Sequence, residues 1–85
     1  MKTLSPIVIG DYTVTVTVEP HGTHFLKFVA RCGNISADGI MTPAGTHDRA
    51  ELDFAKGIQD YAERVARECA GKCRSADLRR KFLEQ

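Results

Sequence analysis

Residues Tyr12-Thr-Val-Thr-Val-Thr-Val18 alternate valine and threonine without a slip, and the run ends in Glu19-Pro20-His21-Gly22. Successive side chains on a strand point to opposite faces, so this run has one apolar and one hydroxylated face and reads as a half-buried β-strand. A second extended run, Thr23 to Cys32, follows at once. Together they predict a β-hairpin whose apolar face the rest of the chain has to cover.

Proline presets φ for the first central position of a type I turn, and Gly22 supplies the left-handed residue after it, which predicts a three-residue hairpin loop with a G1 bulge. That register sets Val18 against His24, Val16 against Leu26, Val14 against Phe28 and Tyr12 against Ala30. A one-residue slip would put Lys27 opposite Val14 on the buried face, where an unpaired ammonium is costly, so the hydrophobic pattern rejects it. Upstream, Gly10-Asp11 suits a type II′ turn that pairs Ile9 with Tyr12 and Ile7 with Val14. Downstream, Gly33-Asn34 reads as another tight turn, Ile35-Ser36-Ala37 as a returning strand, and Gly39 as a bulge or an end to pairing.

The expected sheet is a four-stranded antiparallel meander in order 1-2-3-4, with strands over about 6–41. Ile7, Ile9, Tyr12, Val14, Val16, Val18, Leu26, Phe28, Ala30, Cys32, Ile35 and Ala37 share its inner face. Val8, Thr13, Thr15, Thr17, Phe25, Lys27, Val29, Arg31, Ser36 and Asp38 share the outer one.

After the connector Thr42-Pro43-Ala44-Gly45, Asp48-Arg-Ala-Glu51 has the spacing of a capping box, with Thr46 as a rival N-cap. Phe54, Ile58, Tyr61, Val65 and Cys69 then recur at helical spacing, and Ala55, Ala62 and Ala66 widen the stripe. Asp60 with Arg64 and Glu63 with Arg67 are i,i+4 pairs on the opposite face. Gly71 reads as a C-terminal cap, so the prediction is a long helix over about 48–70 and a short final helix over about 75–84 that docks Leu78, Phe82 and Leu83. An apolar helix stripe and an apolar sheet face need each other, and the expected class is α+β in two layers.

Eighty-five residues make one expected domain with a thin core. A net charge of +1 supplies no global field for DNA or an anionic membrane, and it excludes a dense acidic DNA mimic. No apolar run approaches the roughly 18 residues of a membrane span, and the start Met1-Lys2-Thr3-Leu4-Ser5-Pro6 has no signal-peptide core, so the reading is cytoplasmic with no membrane partner. The three cysteines, Cys32, Cys69 and Cys73, form an odd set that fits reduced cytosolic thiols better than a disulfide framework.

No catalytic motif stands out, and neither a cofactor nor a metal is expected. Cys69-x-x-x-Cys73 places two thiols on one helical face, and zinc would need further ligands from Cys32, His21, His24 or His47. Cys69 continues the apolar stripe, and Cys32 falls on the inner sheet face, so buried thiols are the simpler reading. A Cys–His nucleophile needs an electropositive, partly open setting that an inner-face Cys32 lacks. His47-Asp48 resembles a base with an orienting acid, but Asp48 already serves as a cap. Gly10, Gly22, Gly33 and Gly45 sit at expected turns rather than in a phosphate-binding pattern.

The outer sheet face is the unusual feature. Phe25, Val29 and Val8 are not needed there for solubility, and Lys27 and Arg31 lie beside them, which reads as a contact site for a partner or for self-association. The tail adds Arg74, Arg79, Arg80 and Lys81 as candidate contact residues. A homodimer through the outer face or an edge strand is a further possibility. Aromatic and basic residues on an open sheet also permit a nucleic-acid alternative, with the basic tail holding phosphates.

In its strand–turn–strand core from Tyr12 to Cys32 and its following helix, the chain resembles the very small accessory proteins of phages and prophages, anti-CRISPR proteins among them. The likeness rests on size, a small sheet with a helix and the lack of catalytic signatures, and it transfers no residue roles. It implies a non-enzymatic, stoichiometric inhibitor that blocks a host nucleoprotein or enzyme complex in the host cytoplasm. Near-zero charge would then favour a mixed protein–protein contact over nucleic-acid mimicry.

Overall fold

Strand β3 (Tyr12–His21) is the spine of the sheet, as its alternation predicts. The structure, a computed structural model, describes residues 1–42 and 50–84, and within the helix the side chains from Lys56 onward. Its other elements are β1 (Lys2–Thr3), β2 (Ile7–Ile9), β4 (Phe25–Cys32), β5 (Ile35–Met41) and α1 (Ala50–Leu83). The class is α+β: five antiparallel strands in one open sheet, packed against one long helix. Pro43-Ala44-Gly45, Thr46, His47 and Asp48, and the side chains of Glu51, Phe54 and Ala55, lie outside the described residues.

Two of the three predicted turns hold their register. Ile9 pairs with Tyr12 and Ile7 with Val14 across Gly10-Asp11, and Cys32 pairs with Ile35 across Gly33-Asn34. Gly10 and Gly33 have φ of 60° and 61°, and among the described residues no other residue type has positive φ, as type II′ turns require. The central hairpin is a correction. Val18 pairs with Phe28, Val16 with Ala30 and His21 with Phe25, so the strands are shifted by four residues from the expected register.

The turn is Gly22-Thr23-His24, with φ of 72° at Gly22, while Glu19-Pro20-His21 stays in the strand. Backbone polar groups along an antiparallel strand point alternately to its two sides. Val16 turns its carbonyl away from β4, towards Leu4 N at 2.9 Å. Pro20 has the same parity, so its missing N–H falls on the side away from β4, beyond the last β1 pair of Lys2 with Val18. A proline there interrupts no ladder. The shift is even, so every side chain keeps its predicted face, and all twelve expected inner-face residues are buried or pack on the core.

A fifth strand is the second correction. β1 and β2 lie in succession along the same side of β3. Between the Thr3–Thr17 and Ile7–Val14 pairs, the three residues Leu4-Ser5-Pro6 face only Thr15-Val16. This one-residue excess acts as a bulge. It lets Leu4 and Ile7, an odd number of positions apart, both turn towards the core.

On the opposite side of the sheet, β5 runs through Gly39 to Met41 without a bulge. A Cβ on Gly39 would run into the Tyr61 hydroxyl and lie 3.1 Å from its Cζ. The glycine is there for the helix, not for a strand end. Tyr61 in turn meets Phe28 edge to face, with ring centroids 4.9 Å apart and planes at 68°, and donates its hydroxyl proton to the Ile40 carbonyl at 3.2 Å.

Helix α1 continues through Gly71 for 34 residues, so the predicted break and short final helix are replaced by one element. Glycine in a helix interior costs about 1 kcal/mol relative to alanine. Contacts beyond it offset that cost: Cys73 is buried, and Asp77 accepts a hydrogen bond from Tyr12 at 2.6 Å. The packed face is Ala62, Val65, Ala66, Cys69, Ala70 and Cys73, with Ile58 and Tyr61 at its start. Neither expected ion pair, Asp60–Arg64 or Glu63–Arg67, forms, and Glu63 instead accepts from Gln59 at 3.3 Å. Thirty-four helical residues span about 50 Å, whereas the ten of β3 span about 33 Å. The helix outruns the sheet, and Leu78, Phe82 and Leu83, expected to dock, are exposed instead.

Gly71→Ala should therefore stabilise the protein by about 1 kcal/mol in urea unfolding, because an added Cβ meets nothing within 4 Å and the residue is helical. A helix that ended at Gly71 would instead lose stability. Gly39→Ala should cost about 1–3 kcal/mol through overpacking, and Tyr61→Phe in the same chain should recover part of that loss.

Candidate interaction surfaces

Alternation places Phe25, Lys27, Val29 and Arg31 on the face of β4 that points away from α1, and the structure keeps all four there. Phe25 and Arg31 are exposed, and Lys27 and Val29 are half-buried among neighbouring strands. The register supplies their neighbours. Lys27 lies between Glu19 and Ile40, Val29 between Thr17 and Asp38, and Arg31 between Thr15 and Ser36. Ile40 is thus diagonal to both Phe25 and Val29, within reach of long and aromatic side chains.

Ile40 is 49% exposed and Phe25 44%. Ile40 is absent from the expected outer face because Gly39 reads as a bulge or an end to pairing, although the strands are expected to run to about residue 41. Continued alternation through Ile35-Ser-Ala-Asp-Gly-Ile-Met41 was the signal that places it outward. The result is an apolar cluster of Phe25, Val29 and Ile40 around the Lys27 stem, with Glu19 and Asp38 at its margin. Among the described residues, no element packs over this face.

The four tail cations lie elsewhere. Arg74 and Lys81 line a hollow of about 630 Å³ with Gly10, Asp11, Tyr12, Asp77 and Leu78, at the end of the sheet where β3 begins. Phe25 pairs with His21 at the other end of β3, about 30 Å away along the strand. The tail is also carried by the helix layer. The outer-face cluster and the basic tail therefore do not form one surface.

Arg80 is already engaged, donating to Asp77 at 3.0 Å while the other Asp77 oxygen accepts from Tyr12. That exposed ion pair contributes little by itself. Arg74, Arg79 and Lys81 make no ion pair among the described residues. Leu78, Phe82 and Leu83 stand beside them on the overhanging helix.

The hydrogen bond to Asp77, helped by desolvation and the nearby carboxylate charge, pushes the Tyr12 hydroxyl from 10.0 up to about 12. Burial likewise pushes the Cys69 and Cys73 thiols up, Cys73 to about 11. Among the described residues, no group of three His, Cys, Asp or Glu is placed to hold a metal ion, and no helix is long and apolar enough to cross a membrane.

Fold and surface together describe an α+β domain with an open sheet face. Comparison with protein-family models, with curated proteins and with solved structures finds no match to this chain.

Tyr12→Phe should lower the urea midpoint below pH 10, where the native hydroxyl is protonated and donates to Asp77. The folded-state value is the raised one, so this contribution is complete below pH 10 and fades as pH climbs towards 12. Paired unfolding curves of the two proteins should converge over that interval. A gap that does not change with pH would remove the hydrogen bond as its cause.

Proposed function

We propose that this chain is a non-enzymatic protein-binding module that docks through the outer face of its sheet. The observation that carries this reading is the cluster of Phe25, Val29 and Ile40 around Lys27, on a face that no described residue covers. An apolar centre with a polar margin is the anatomy of a protein–protein contact. Lys27 and Arg31 against Glu19 and Asp38 leave the face with no net charge, which suits a mixed protein surface. Stoichiometric blocking of a host nucleoprotein or enzyme complex, as the likeness to small phage proteins of the anti-CRISPR type implies, is the form of activity we assign to it.

The nucleic-acid alternative needs the sheet aromatic and the basic tail on one side. Phe25 and Arg74, Arg79, Arg80 and Lys81 are held on different layers and at different ends, so the protein reading is the better supported. Two acids beside the sheet cations weigh in the same direction.

Co-purification from the native host identifies the partner, and purified components then test the surface. Phe25→Ala with Ile40→Ser should weaken binding roughly tenfold or more, the loss expected on removing a central apolar anchor. Arg79→Ala with Lys81→Ala should change it little. Circular dichroism and thermal melting must show both variants folded. The opposite pattern, or binding to RNA or single-stranded DNA that falls steeply with salt, would replace this reading with the nucleic-acid one.

A further inference from the structure

The three cysteines are far apart in sequence, yet the fold gathers them at one point. Cys32 ends β4, while Cys69 and Cys73 sit one helical turn apart on α1. Their thiols straddle the Gly33-Asn34 turn: Cys73 Sγ donates to the Cys32 carbonyl at 3.4 Å, and Cys69 Sγ to the Ile35 carbonyl at 3.5 Å. All three are free thiols. Cys69 and Cys73 are buried, and Cys32 is half-buried at the end of its strand. Cys73 Sγ thus lies against the backbone of Cys32 at the end of β4, and after burial the Cys32 thiol is the next influence that raises the Cys73 thiol.

We propose that Cys32 and Cys73 are an oxidisable pair, a modification site at which a small disulfide such as oxidised glutathione installs a cross-link between β4 and α1. Cys32 starts the reaction because it is the accessible member. It loses its proton to water and attacks one sulfur of the small disulfide. The disulfide S–S bond breaks, a thiolate leaves and picks up a proton, and Cys32 carries a mixed disulfide. Cys73 then gives up its proton to solvent and attacks the Cys32 sulfur, expelling the second small thiol.

In sum, two protein thiols become one protein disulfide, one small disulfide becomes two thiols, and two electrons pass from protein to reagent. Cys69 is the spectator. It is fully buried, and its thiol is turned to Ile35. Burial keeps the Cys73 thiolate scarce near neutrality, so ring closure is the slow step and quickens as the solution is made alkaline. The cross-link would tie the helix to the sheet two residues past Gly71.

Native protein incubated with oxidised glutathione tests this. The free-thiol titre should fall from three to one, the mass should drop by two hydrogen atoms, and peptide mapping should join the Cys32 and Cys73 peptides. A reducing agent should restore all three thiols. Cys69→Ser should still form the bond, Cys32→Ser should not react, and Cys73→Ala should stop as the glutathione adduct of Cys32. Cys73→Ser serves if the alanine variant fails to fold, since the adduct needs only an accessible Cys32. The proposal fails if the native protein keeps three thiols, stops at the mixed disulfide, joins Cys69 to Cys73, or links two chains.

Discussion

The sheet and the helix hold together through unequal side chains. Valine and phenylalanine rise from the strands, while alanine and cysteine line the helix, so the helix axis can settle close to the sheet. Among the described residues, the largest fully buried side chains are Phe28, Val14, Val16 and Cys69, only the last of them from the helix. A small chain buries a modest share of its surface, and a core whose one fully buried aromatic among the described residues is Phe28 has little to spare. Polar ties complete the fit at both ends of the contact: Tyr61 to the Ile40 carbonyl near the start of the helix, and Tyr12 to Asp77 near its end. Gly39 belongs to the same constraint, since its missing side chain is the space that the Tyr61 ring occupies.

A period of two decides which face a residue takes, and that much could be read from the chain. It is blind to a shift by an even number of residues, because valine still lies over an apolar neighbour. The pattern therefore leaves the central register open, and Pro20, whose missing amide falls on the side of β3 away from β4, does not forbid the one observed. The short edge strand escaped for a related reason. Leu4 and Ile7 break strict alternation, and only the extra residue at Ser5-Pro6 makes both face inward. Glycine 71 misled in the opposite way. Local preference argues for an end there, and two tertiary contacts further on override it. Leu78 and Phe82 have the spacing of a docking helix, but nothing in their own sequence says that the sheet beneath has already ended.

The candidate surface was legible in part for the same reasons. Face assignment placed Phe25, Lys27, Val29 and Arg31 together correctly, while Ile40 needed the alternation to run on unbroken through Gly39. The basic tail could be recognised as basic from its composition. Its separation from the sheet cluster depended on how far the helix runs and at which end it finishes, and these are properties of the packed structure. The thiol cluster was hidden for that reason too: Cys32 meets Cys73 only because β4 ends under the seventh turn of the helix.

The two rims of the sheet are closed by different means. One is broken by Ser5-Pro6 and by the pairing offset it introduces. The other is a straight seven-residue strand, and there the helix intervenes. In a two-residue hairpin, the flanking Cys32 and Ile35 exchange their hydrogen bonds, which leaves Ser36, Asp38 and Ile40 with backbone groups aimed outward. Two of those three carbonyls are occupied, Ile40 by the Tyr61 hydroxyl and Ser36 by Lys72 Nζ at 3.5 Å. Two occupied carbonyls make this edge a poorer template for a passing strand at the very border where its sequence, free of proline and lysine, would otherwise invite one.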